Sequence, residues 1–109
     1  MDSILTSIKK LLGIDEEYEQ FDSDLIMHIN SVFSVLMQLG VGPTDGFSIE
    51  DGSATWNSFI SDNAKIEMVK SYVYLKVRLL FDPPTGSALI ESINNQIKDK
   101  LVFNNNQLL

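Results

Sequence analysis

The acidic residues between positions 15 and 19 are the densest group of side chains in this chain whose types could do chemistry. Asp15, Glu16, Glu17 and Glu19 fall within five positions, and carboxylates are the ligands that Ca²⁺ prefers in proteins. They lack the alternating spacing and the central glycine that a calcium loop needs for its turn. We therefore interpret residues 14–21 as a solvated linker that holds no metal.

His28 is the single histidine of the chain, and the chain has no cysteine. A histidine that binds a metal or acts as a general base needs partner side chains, and the sequence offers neither a second histidine nor a thiolate. With the carboxylates crowded into a linker, no nucleophile, base and orienting residue can be assembled. The sequence therefore predicts a surface position for His28, no enzyme activity and no cofactor.

The element that must organise these residues is a helix predicted at 64–82, which is the most apolar helical pattern in the chain. Its apolar residues form two adjoining stripes at 100° per residue that together cover roughly 200°, wider than the roughly 100° of a helix packed on one side. We therefore expect other elements to cover it on two sides. The first stripe contains Ile66, Val69, Val73, Val77 and Leu80, and the second contains Met68, Tyr72, Leu75 and Leu79.

Three further helices are predicted around this central one. The first begins after the N-cap Ser3 and ends at Gly13, the second runs from Asp22 or Ser23 to Leu39, and the last spans 87–101. A short helical turn follows Thr55. The sequence thus predicts an all-α bundle of four main helices in one domain, residues 1–101, with a tail at 102–109 that we expect to be flexible in the free protein.

An irregular arm at 41–54 connects the second helix to the rest. Glycine and proline break the helical periodicity there, and Phe47 and Ile49 alternate with polar residues ahead of Asp51-Gly52. That pattern is typical of a short strand or hairpin running into a tight turn. The glycines do not form a phosphate loop, because no GK[ST] motif follows.

The charge distribution limits the classes of partner. The net charge is −7, and residues 11–64 contain ten acids and no Lys or Arg. Such a surface has no general attraction for DNA or for anionic membranes, and its simplest role is to keep the protein soluble. The ends of the chain are slightly basic, which suits head-to-tail contacts between copies. Because the chain has no signal-peptide pattern and no apolar run of about 18 residues, we expect a soluble protein made inside the cell.

Four segments that cover nearly the whole chain carry a family resemblance. They are ILTSIKKLLGID, FDSDLIMHINSVFSVLMQLGVGP, FSIEDGSATWNSF and KIEMVKSYVYLKVRLLFDPPTG. The chain resembles the head-tail connector (adaptor) proteins of tailed bacteriophages and prophages. The resemblance implies an α-helical bundle whose copies form a ring between the portal and a tail-proximal neck protein, in the virion neck, while DNA passes through the centre. It implies no enzyme activity and no cofactor.

The residues predicted to contact neighbouring copies or the portal are apolar side chains in the arm and the tail. They are Phe47, Ile49, Phe103, Leu108 and Leu109. The alternative is that the arm is packed within its own chain and that the tail is a disordered terminus. An alternative function is a small acidic protein-interaction or regulatory domain. A helix-turn-helix DNA binder is less favoured, because a recognition helix needs Arg, Lys, Asn or Gln aimed at base edges.

Overall fold

A computed structural model describes residues 3–81 and 93–97 of the protein. It contains the helices α1 (Ile4–Leu11), α2 (Asp22–Gln38), α3 (Trp56–Phe59) and α4 (Asn63–Phe81), and residues 93–97 are also helical. This part of the chain contains no β-strand, so the all-α prediction is confirmed. The boundary predicted between residues 101 and 102 lies outside the described residues.

Local chemistry explains where the helices begin and end. The Ser3 side chain accepts a hydrogen bond of 3.2 Å from the amide of Thr6 and so caps α1, as predicted. Gly13 follows α1 with a φ of 78°, a left-handed conformation that glycine adopts without strain. Asp62 accepts from the amide of Ala64 at 3.0 Å and so starts α4. Thr55 precedes α3 as predicted, but its side chain makes no capping hydrogen bond.

The core lies around α4, which packs mainly against α2 and also contacts α1 and α3. Members of both predicted stripes of α4 are buried. They are Val69, Tyr72, Val73, Leu75 and Val77. At 93–97, Ile93 and Ile97 are buried and the three residues between them are exposed, as on a helix with one apolar face, and this segment falls within the last helix predicted.

Leu80 departs from the predicted stripe of α4. Its side chain is 53 % exposed although it shares a helix face with buried Val73 and Val77. Leu80 lies in the last turn of α4 and lines two shallow grooves there instead of packing between helices. The periodicity of a helix therefore identifies its apolar face but not how far along the helix that face is covered.

The arm at 41–54 forms no strand or hairpin, and this part of the fold prediction is wrong. Among residues 3–81 and 93–97, the structure shows an isolated antiparallel bridge between Ser3 and Thr55, beside a 2.9 Å hydrogen bond from the amide of Ile4 to the carbonyl of Ala54. The extended piece around Ile49 finds its hydrogen-bond partner in a side chain of α2, Asn30, instead of in a second strand.

Candidate functional site

Two of the predicted interface residues, Phe47 and Ile49, pack against the core of their own chain. Ile49 is only 2 % exposed, and Phe47 is half-buried. The structure therefore supports the alternative of an arm that is packed within its own chain. Whether either residue also touches a neighbouring copy stays a prediction. The other three, Phe103, Leu108 and Leu109, lie outside the described residues.

An aromatic cluster provides the surface on which Phe47 rests. The rings of Phe33 and Phe59 stack with their centroids 4.3 Å apart, and Phe47 lies 5.3 Å from each of them. The ring of Trp56 meets Phe33 edge-on at 6.1 Å, and its Nε1 donates to the Ser7 hydroxyl at 2.8 Å. Edge-to-face and offset ring pairs of this kind stabilise a fold beyond the burial of their apolar surface. The cluster joins α1, α2, α3 and the arm into one unit.

The tip of the arm is polar and ordered by its own hydrogen bonds. The carboxylate of Asp51 accepts from the hydroxyl and the backbone amide of Ser53, and these bonds lower its pKa below the ordinary value of 3.8. Glu50 is also exposed here. The tip therefore presents two carboxylates on a turn of fixed shape.

His28 and the acidic linker do not form a catalytic or metal-binding arrangement in the described structure. His28 is half-buried, with its ring 6.5 Å from that of Phe81. Among residues 3–81 and 93–97, no three His, Asp or Glu side chains converge on a point where they could hold a metal. His28 and the acidic linker can therefore contribute charge and hydrogen bonds to a surface contact.

Lys9 organises the acidic linker, and sequence reasoning missed this role. Its side chain is 2 % exposed, and its Nζ donates to the carbonyl oxygens of Glu16 and Tyr18 at 2.8 and 2.6 Å. The carboxylate oxygen Oδ1 of Asp22 lies 2.8 Å from Lys9 Nζ and forms an ion pair with it. The geometry of this pair is not that of a hydrogen bond. One signal was available: Lys9 follows Leu5 by one helical turn, so it falls on the edge of the apolar stripe of α1.

Two of the grooves beside α4 in the described structure lie against a neighbouring helix and differ in character. The first lies against α2, has a volume of about 260 Å³ and is mostly apolar, with the buried Tyr72 at its base. Burial raises the pKa of Tyr72. The walls of this groove are Ser31, Val32 and Val35 from α2 and Lys76, Leu79 and Leu80 from α4.

The second groove lies between α1 and α4, and we name it the basic groove. It consists of two adjoining depressions of about 270 and 260 Å³ that share Leu11. Its cationic side chains are Lys10 from α1 and Lys70 and Arg78 from α4, with Tyr74 beside them. A chain with a net charge of −7 thus carries a local basic surface.

Comparison with families of known proteins matches residues 4–105 to a family model described as phage connector protein. This range includes all the helices described above. The chain belongs to the phage connector family. It is accordingly a structural component of the phage neck that assembles with other head and tail proteins, and the family is not an enzyme class.

Comparisons with curated proteins and with solved structures found no match. Within residues 3–81 and 93–97, no helix of this connector has the length and apolar character that crossing a membrane requires.

Proposed function

We propose that copies of this connector form a closed ring beneath the portal of the capsid, and that the ring joins the head to the tail while DNA passes through its centre. The observation that carries the proposal is the family match, because it extends over residues 4–105 and so includes the whole helical core. The proposed partners are further copies of the chain, the portal protein and a tail-proximal neck protein. The connector would be made in the bacterial cytoplasm and reside in the phage neck.

The charge of the connector supports a ring through which DNA moves. Binding to DNA strengthens with each phosphate that a Lys or Arg neutralises. Residues 11–64 contain ten acids and no Lys or Arg, and acids such as Asp45, Glu50 and Asp51 are exposed. A channel wall made from this segment would repel the phosphate backbone and let it slide.

Contacts between ring neighbours require that one surface of each copy meets a different surface of the next. Of the predicted interface residues, Phe47 keeps an exposed portion that a neighbour could cover, and Phe103, Leu108 and Leu109 remain part of the proposal. Ile49 would act indirectly, by holding Phe47 in place, because its own side chain is already buried.

The proposal is tested by deleting the gene for this connector from the phage that encodes it and viewing the lysate by electron microscopy. We expect filled or partly filled heads and separate tails in place of whole particles. Supplying the intact gene from a plasmid should restore joined particles. Whole, infectious particles without the gene and without the plasmid would show that the connector is not required for joining heads to tails.

A further inference from the structure

The cationic side chains of the described structure are concentrated on one surface. Residues 3–81 and 93–97 contain six Lys or Arg residues, and one of them, Lys9, is buried. Of the other five, Lys10, Lys70 and Arg78 all line the basic groove. The groove also presents Leu11, which is 46 % exposed. A ligand that fits it should therefore combine negative charge with an apolar or aromatic side chain.

The acidic linker, residues 14–21, has that combination. It carries four carboxylates, and its aromatic residues Tyr18 and Phe21 are 42 % and 39 % exposed, with their rings 5.3 Å apart. The linker is also held in shape, since Lys9 binds two of its carbonyls and the amide of Tyr18 donates to the carbonyl of Asp15 at 3.0 Å. A segment that is ordered before it binds loses less conformational entropy in the complex.

The residue that holds the linker and the residue shared by both parts of the groove lie on opposite flanks of α1. Lys9 and Leu11 are two residues apart and therefore about 200° apart around the helix. One end of the groove, at Leu12 and Gly13, leads into the linker of the same chain. Two complementary surfaces on opposite flanks are what a heterologous, ring-forming contact requires.

We propose that the basic groove of one connector receives the acidic linker of the next copy around the ring. Lys10 and Arg78 pair with linker carboxylates, and Tyr18 rests against Leu11. This inference rests on the proposed function, because it assigns the surfaces through which the ring closes. Exposed ion pairs are individually weak and are screened by salt, so the contact between two free copies is weak and strengthens when ring closure joins many such contacts.

The absence of cysteine makes disulfide trapping a direct test. In the variant Leu11→Cys with Tyr18→Cys, each thiol meets the other type on a neighbour, so mild oxidation of concentrated protein at low salt should give a ladder of head-to-tail oligomers. The control pair Leu11→Cys with Ser48→Cys places the second thiol on the exposed arm. We expect at least a tenfold greater yield of trimers and larger species from the first pair. Equal yields from the two pairs would overturn the proposal.

Charge reversal tests the pairing itself and separates it from the proposed function. Lys10→Glu with Arg78→Glu reverses the groove, and Glu16→Lys with Glu17→Lys reverses the linker. Each double variant alone should restore joined particles in the gene-deleted phage at least tenfold less well than the natural chain, whereas expressing both together should recover joining. If the natural chain restores joining and each double variant does so equally well, the groove is not the subunit contact while the connector role stands.

The alternative to a subunit contact is that the basic groove binds DNA. Fluorescence anisotropy with a labelled random duplex at low salt measures it. We expect no more binding by the natural chain than by the groove-reversed variant. Binding to duplex that groove reversal weakens tenfold or more, together with equal disulfide ladders from both thiol pairs, would assign the groove to DNA.

Discussion

The side chain of Asn30 binds both backbone polar groups of Ile49. Its Nδ2 donates to the carbonyl oxygen at 2.9 Å, and its Oδ1 accepts from the amide at 2.7 Å. An adjacent β-strand offers a residue the same pair of bonds, which is why Ile49 can be extended and buried without a partner strand. The contact fixes the arm to the middle of α2 and turns the Ile49 side chain into the core.

The first prediction is that Asn30→Ala destabilises the protein by about 1–3 kcal/mol, because it leaves two part-buried backbone groups without their partners. The free energy of unfolding in urea measures this. The matched control is Asn57→Ala, since the Asn57 amide bonds only the exposed Asn63 side chain, at 3.1 Å. The control should change stability by less than about 0.5 kcal/mol. If the two variants lost similar free energies of unfolding, the hydrogen bonds from Asn30 to Ile49 would stabilise the protein no more than an exposed side-chain pair does.

The second prediction concerns Ile49→Ser. Because Ile49 is 2 % exposed, we expect a loss of roughly 2–5 kcal/mol in the free energy of unfolding from the cavity and the buried hydroxyl. In a domain near this size each kcal/mol lowers Tm by roughly 4–8 °C. Phe47→Ser should cost less, since Phe47 is half-buried. Calorimetry measures Tm, with the exposed Ser48→Ala as the control. An unchanged Tm for Ile49→Ser would show that Ile49 does not contribute to the core.

The helices could be predicted from sequence because their signals are local. The stripe that includes Val73, the cap at Ser3 and the stop at Gly13 each depend on residues within a few positions of one another. The place of Ile49 could not be predicted in this way, because it depends on Asn30, nineteen positions earlier, and on where α2 passes. Periodicity records which face of an element is apolar but not which distant residue covers it.

The two candidate contact surfaces also differ in whether nearby or distant residues form them. The acidic linker was evident from its composition, whereas the basic groove was not, because Lys10 and Arg78 are far apart in sequence and line one groove only when α1 lies beside α4. The buried Lys9 was missed for a related reason. A lysine is ordinarily exposed, and its burial here depends on carbonyl oxygens that a later turn brings to it.

The third prediction compares two glycines of the arm with similar backbone conformations. Gly42 and Gly46 have φ values of 94° and 97°, so alanine at either position is strained by about 1–2 kcal/mol. A Cβ on Gly42 would also lie 2.5 Å from a ring carbon of Phe59, whereas a Cβ on Gly46 meets nothing within 4 Å. We expect Gly42→Ala to be less stable than Gly46→Ala by about 1–3 kcal/mol in urea unfolding. Equal losses would show that the aromatic cluster can shift to admit a methyl group.

The fourth prediction is that Ser53→Ala raises the pKa of Asp51 toward 3.8, because it removes the hydroxyl that bonds the carboxylate and leaves only the backbone amide. Since the folded pKa lies below the unfolded value, the bonds to Asp51 stabilise the protein above about pH 4, and this contribution is lost as the pH falls through the folded pKa. NMR titration of the Asp51 carboxylate measures the change, and Ser48→Ala provides the control. A pKa that does not move in Ser53→Ala would show that the hydroxyl does not bind the carboxylate.

The last prediction is that Lys9→Met loosens the acidic linker. Methionine keeps the apolar stem of the side chain but leaves the carbonyls of Glu16 and Tyr18 without a donor and Asp22 without a cation. Asp22 is 27 % exposed, so water partly replaces the lost partner, and we expect a cost of roughly 1–3 kcal/mol instead of the 3–5 of a fully buried pair. Adding Asp22→Asn removes the unpaired charge and should recover part of that loss.

Amide hydrogen exchange measures the loosening of the linker directly. Exchange at 15–21 should become faster in Lys9→Met but not in the control Lys10→Met, whose side chain is exposed. Unchanged exchange in Lys9→Met would mean that the linker is held by contacts other than Lys9.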